Sequence, residues 1–183
     1  PRGRRGVRDD GRPRSGSDSD RVRAWQIMTE DPTTVTPDTT LEVAAQLMRE
    51  LDVGVIPVVD DDAEGRLVGV ITDRDMVVRA LAGGQDGRAT VGDHMTADVA
   101  SVAPEDSVHD VLDVMKQERV RRVPVTDGEG RLVGIISQAD LAVCYAGLDI
   151  AREAEVEEAI ERISEPRHAN VHGPRAAIRA RRY

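Results

Sequence analysis

Two short segments place a hydroxyl three residues before a carboxylate: Thr72-Asp73-Arg74-Asp75 and Ser137-Gln138-Ala139-Asp140. Each follows a run rich in branched aliphatics, Leu67–Thr72 and Leu132–Ser137, and is read as a strand passing into a helix. The first backbone N–H groups of a helix lack intrahelical partners. With the hydroxyl beside them they suit a phosphate or ribose oxygen. The acid lies on the same side of the first turn, and an ionised carboxylate accepts hydrogen bonds from a pair of hydroxyls. The same residues also make good helix caps, and an acid in the first turn favours the helix dipole. Capping alone accounts for the pattern, and the two roles are compatible.

Other chemistry-bearing residues are fewer. Arg121 and Arg122 stand at the start of a strand, where successive side chains alternate faces, so one of them points inward. His168 and His172 are four apart but have no nearby acid or cysteine, which makes a poor metal site, and Gly173-Pro174 follows at once. No metal is expected. The single cysteine, Cys144, has no basic neighbour in sequence and reads as buried filler. The triplet Asp60-Asp61-Asp62 reads as an exposed hairpin loop. No nucleophile elbow, P-loop or dinucleotide fingerprint occurs, so catalysis is not expected.

The elements that must position these residues form an internal repeat. Met28-Thr29, Pro37, Met48 and Pro57 recur 67 residues later as Met95-Thr96, Pro104, Met115 and Pro124. Gly65-Arg66-Leu67-Val68-Gly69 recurs 65 residues later as Gly130–Gly134, as does Asp75 at Asp140, so the second copy is two residues shorter in the loop near Asp60–Glu64. Each copy begins with an extended piece, Thr33–Val35 or Val99–Val102, and a proline turn. A helix follows, with Thr39 or Asp106 as expected N-cap. Its apolar stripe is Leu41, Ala44, Ala45, Leu47 and Met48 in one copy, and Val108, Val111, Leu112 and Met115 in the other. Strands Gly54–Val59 and Arg121–Thr126 then pair in hairpins with Leu67–Thr72 and Leu132–Ser137, and final helices start near Asp73 and Gln138. The fold class is α/β (α+β), two β-α-β-β-α motifs packed together because one alone cannot bury both faces of its sheet.

The order of elements, the strands Pro57-Val58-Val59-Asp60 and Pro124-Val125-Thr126-Asp127, and the two segments Gly69–Asp75 and Gly134–Asp140 resemble the CBS (cystathionine-beta-synthase) domain family, whose domains pair as a Bateman module. The resemblance covers roughly residues 25–146, and the whole is similar to small stand-alone bacterial CBS-pair proteins. It implies two pseudo-symmetric clefts for adenosine ligands, AMP, ADP or ATP, with S-adenosylmethionine as a further candidate. The carboxylate would hold the ribose. One cleft would join Ser137, Ala139 and Asp140 to Thr33, Val53 and Val55 as adenine slot, with Arg121 and Arg122 on its phosphate side. The other would join Thr72, Arg74 and Asp75 to Ala100, Val120 and Arg122. The counterparts of Arg121 and Arg122 are Gly54 and Val55, which carry no charge, so the Asp140 cleft is the better phosphate site. The resemblance also implies a homodimer through the helices, and an effector protein that reads a ligand-dependent change of shape.

Composition bounds the rest. Hydrophobic residues make up 39% of the 183 and aromatics 2%, with no Phe, so the core must be aliphatic. No apolar run approaches a membrane span, no internal disulfide can form, and a cytoplasmic setting is expected. Net charge is −9, yet residues 1–24 hold eight Arg and residues 166–183 five, leaving an acidic body that disfavours general nucleic-acid binding. The expected organisation is a disordered basic segment 1–24 without the apolar stretch of a secretory signal, motifs at 25–82 and 91–146, a C-terminal amphipathic helix at 149–165, and a flexible basic tail at 166–183. Two other functions remain open: a dimerisation module with empty clefts, and a nucleic-acid-associated regulator acting through the basic ends.

Overall fold

The computed structural model describes residues 22–60, 65–146 and 161. The expected helix at 149–165, apart from Glu161, lies outside these residues, as do the tail, the two tail histidines and loop residues 61–64.

Each copy forms its first helix where the stripe demands one. Helix α1 (Leu41–Leu51) buries Leu41, Ala44 and Met48, and ends on Asp52 in the left-handed conformation. Ala45, counted in the stripe, is exposed and Leu47 is half-buried, because the buried face is narrower than the run of small and apolar residues. The N-caps lie one residue later than expected. Thr40 accepts from Val43 N, and Ser107 accepts from Asp110 N at the start of α3 (Val108–Glu118). Thr39 and Asp106 instead close the proline turns, accepting from Thr36 N at 3.1 Å and Ala103 N at 2.7 Å. Each turn-to-helix junction carries two side-chain acceptors in succession; the first serves the turn and the second the helix.

The hairpins form as expected. Strand β2 (Val55–Val59) pairs antiparallel with β3 (Leu67–Thr72), and β5 (Arg122–Thr126) with β6 (Leu132–Ser137). The turn glycines Gly65 and Gly130 have φ of +64° and +80°, which a side chain would resist. After β3 the chain enters α2 (Asp73–Asp75), widens into a π-helical turn at Met76–Ala80, and tightens again at Leu81–Gly83. Its counterpart α4 (Gln138–Ala146) is α-helical throughout.

The extended leaders depart from expectation. Val35 and Val102 make single parallel bridges, to Val58 and Val125, in place of strands at Thr33–Val35 and Val99–Val102. The leading strands lie earlier, β1 at Thr29–Glu30 and β4 at Thr96–Ala97. Each joins the sheet of the other repeat, giving the orders β1-β6-β5 and β2-β3-β4. Asp31 and Asp98 follow them with φ of 45° and 51°, a left-handed bend that aspartate tolerates better than most residues.

The exchange extends into the cores. Val22–Ala24, expected to belong to a disordered segment, pack on the second repeat: Ala24 is fully buried, its N–H donates to Asp106 O, and Val22 O accepts from Val108 N. Val91 does the same for the first repeat, with its N–H donating to Thr39 O. One core thus joins Ala24 to Val108, Leu112, Met115, Ile136 and Tyr145; the other joins Val91 to Leu41, Met48, Ile56 and Ile71. Neither repeat completes its core alone, and this fixes how the two halves face each other.

Candidate functional site

Where β6 gives way to α4, Ser137 and Asp140 form a capping box. Ser137 N and Oγ both donate to Asp140 Oδ2 at 2.7 Å, and Asp140 N donates to Ser137 Oγ at 3.3 Å. Among the described residues Asp140 Oδ1 has no partner. Capping and exposure of one carboxylate oxygen therefore coexist on the same side chain.

In front of this carboxylate lies a cleft of about 410 Å³. The second repeat supplies Arg122, Ile135, Ser137 and Asp140 to its wall. The first supplies Thr29, Asp31, Pro32 and Thr33 from β1 and the bend after it, Leu51 and Val53 from the end of α1, and Val55, Ile56 and Pro57 from β2. β1 reaches this wall by crossing β6 closely: a Cβ on Gly134 would stand 2.5 Å from Met28 Sδ.

Of the residues expected here, Thr33, Val53, Val55, Arg122, Ser137 and Asp140 come together. Arg121 and Ala139 do not line the cleft; both are exposed, and Arg121 contributes its carbonyl to Gln138 N at 2.9 Å. Strand register decides between the two arginines. Arg122 is directly opposite Ser137 across the hairpin and shares its face, so Arg121 falls on the other. Asp31, Pro32 and Leu51 were not anticipated. Asp31 carried one faint signal, its recurrence as Asp98 in the repeat.

The Asp75 end repeats the box with a difference. Thr72 N and Oγ1 donate to Asp75 Oδ2 at 3.1 and 2.6 Å. The other oxygen, Oδ1, pairs with Arg79 Nε at 3.3 Å. Arg74 and Ala100 are exposed. Val120 is half-buried and packs against the second core. Arg122, expected in both clefts, is found in the Asp140 cleft.

Burial pushes the Cys144 thiol above its ordinary pKa, which favours its neutral form. Among the described residues no group of three His, Cys, Asp or Glu side chains could hold a metal ion, and no helix is long and apolar enough to cross a membrane.

The family model for the CBS domain matches the chain twice, at residues 24–81 and 91–147. Hypoxic response protein 1 of Mycobacterium tuberculosis is 44% identical over 120 residues, 65% of this chain and 82% of that protein. A crystal structure of hypoxic response protein I, with two coordinated zinc ions, matches 67% of this chain and 98% of that one with a TM-score of 0.61. CBSX2, of Arabidopsis thaliana, solved in complex with AMP, matches with 27% identity and a TM-score of 0.61 over 69% of this chain and 98% of that one. A CBS domain pair solved with 5′-methylthioadenosine and S-adenosylmethionine is also 27% identical, with a TM-score of 0.62 over 70% of this chain and 98% of that one.

Proposed function

The chain belongs to the CBS domain family, and on that premise we propose that it is a non-catalytic regulatory module whose Asp140 cleft binds an adenosine phosphate. One observation carries the reading: a single cleft brings an unengaged carboxylate oxygen, a helix start, a guanidinium and an apolar slot together from both repeats. Adenine fits the slot of Val53, Val55 and Ile56. The ribose hydroxyls donate to Asp140 Oδ1. The phosphate lies toward Arg122, which suits AMP, ADP or ATP; S-adenosylmethionine would place a cationic sulfonium next to the ribose and bring its carboxylate to the guanidinium only farther out. The bound adenosine ligands of the similar structures support this assignment.

Because both repeats wall the cleft, a ligand that bridges them biases how they sit together, and an effector protein reads that change. The module works as a homodimer through its helices. Val43, Val77, Val78 and Leu81 are exposed on the helices of the first repeat, Leu81 by 61% of its surface, and a second copy would cover them. Light scattering at micromolar concentration checks this; a monomer only would refute it.

Isothermal titration with AMP, ADP, ATP and S-adenosylmethionine tests the ligand. Asp140→Ala should cost about 1.5–3 kcal/mol, the range for hydrogen bonds to a charged group, or roughly 10- to 150-fold in affinity. Asp140 also caps α4, so melting is measured in parallel and Asp140→Asn serves as the shape-preserving control. If no adenosine ligand binds, or Asp75→Ala abolishes binding while Asp140→Ala spares it, the proposal fails.

A further inference from the structure

The Asp75 and Asp140 junctions are related by the repeat, yet at only one of them does a guanidinium pair with the carboxylate. Arg79 stands four residues after Asp75 and holds Oδ1 through Nε at 3.3 Å. Its Nη1 donates to His94 O, Met95 O and Thr96 Oγ1 at 3.1–3.2 Å. The counterparts of these three acceptors in the other half are Ile27, Met28 and Thr29, and Thr29 lines the Asp140 cleft. Arg79 therefore spans from the carboxylate that would meet a ribose to the position that, by the repeat, corresponds to the wall of the Asp140 cleft. With Thr72 on Oδ2, both carboxylate oxygens of Asp75 are engaged. The counterpart of Arg79 beside Asp140 is Cys144, a half-buried neutral thiol, at best a weak donor and carrying no positive charge to hold a carboxylate.

We infer that Arg79 is a built-in occupant of the Asp75 cleft, so that the chain takes up one adenosine ligand and not two. The inference rests on the proposed function of the Asp140 cleft for its count of one, but the block itself is a separate property of Arg79. A ribose approaching Asp75 must compete with an ion pair whose guanidinium is anchored by two backbone carbonyls and one threonine hydroxyl, whereas among the described residues nothing competes for Asp140 Oδ1. Arg79 also ties the turn after α2 to β4, the leader of the other repeat. A ligand that did dislodge it would loosen the joint between repeats, the opposite of what a ligand bridging the Asp140 cleft does.

Titration of the full chain with AMP reads the stoichiometry. Wild type should bind one AMP per chain. Arg79→Ala should bind two, and Arg79→Ala with Asp140→Ala should bind one. Arg79→Met, which keeps the aliphatic stem, stands in if the alanine variant does not fold. The reciprocal change, Cys144→Arg, should bring a guanidinium to Asp140 and abolish the wild-type site. Two AMP bound by wild type, or one bound by both Arg79 variants, would overturn the inference while leaving the Asp140 reading intact. No binding by wild type but one AMP by Arg79→Ala would support the block and sink the Asp140 reading. No binding by any variant would sink both.

Discussion

Two glycines at equivalent places in the repeat should respond differently to the same substitution. Gly69 and Gly134 lie where β3 and β6 are crossed by the leaders of the opposite repeats. A Cβ on Gly69 would stand 2.5 Å from the backbone carbonyl oxygen of Thr96 and 3.1 Å from Met95 Sδ. A Cβ on Gly134 would meet Met28 Sδ at 2.5 Å and Met28 Cγ at 2.9 Å, with the Thr29 carbonyl farther off at 3.1 Å. Relief at Gly134 needs only a new rotamer of a flexible methionine. At Gly69 the strand β4 itself must move by about 1 Å to reach ordinary contact, which strains its pairing at Gly69–Ala97 and Val70–Thr96. Overpacking of this kind costs about 1–3 kcal/mol. Both changes recover about 0.4–1 kcal/mol by restricting the unfolded chain. Gly69→Ala should therefore lose roughly 1–2 kcal/mol, a fall of about 5–10 °C in Tm for a domain near 100 residues, and Gly134→Ala should stay within about 1 kcal/mol of wild type. Urea and thermal melts of both variants decide it. Equal losses, or a larger loss for Gly134→Ala, would mean that β4 is not held where the contact requires.

The helix caps give a second contrast. Ser107 is nearly buried and takes part in a full box with Asp110, whose pKa lies below the usual carboxylate value, chiefly because of the Ser107 side-chain hydrogen bond. Ser107→Ala should cost toward the upper part of about 0.5–2 kcal/mol, and Thr40→Ala, whose bond to Val43 N is 3.4 Å, toward the lower part, as read by urea denaturation. Because the folded pKa of Asp110 is depressed, its contribution is complete above the unfolded value of about 4 and is lost as pH falls through the folded one. The gap between wild type and Ser107→Ala should thus be flat near neutrality and shrink below about pH 4; a gap that widens in acid would refute the cause assigned. A third prediction concerns the start of the chain. Removing residues 1–21 should leave the melting temperature unchanged, whereas removing 1–24 should lower it, because Ala24 is fully buried and Val22 and Ala24 bond to the α3 junction.

The amino-acid sequence by itself determined the repeat, its hairpins and the strand-to-helix junctions at Thr72 and Ser137. These depend on residues close together in the chain: a turn glycine, a hydroxyl three before an acid, aliphatics at periods of two or of three to four. It also made the Asp140 cleft legible in outline, since Ser137, Asp140, Thr33, Val53 and Val55 follow from the family pattern. Tertiary structure decided what depends on distant chain. The exchange of β1 and β4 between repeats left no local mark, because a two-residue strand has no period of its own. Residues 22–24 and 89–91 do equivalent work yet match at no position, since burial there asks only for something small or apolar. The choice of Arg122 over Arg121 came from register against Ser137 across the hairpin. The pairing of Asp75 with Arg79 is a local i,i+4 contact, but the anchoring of Arg79 Nη1 came from the turn after α2 meeting the leader of the other repeat, where two of its three acceptors are backbone carbonyls that no side chain announces.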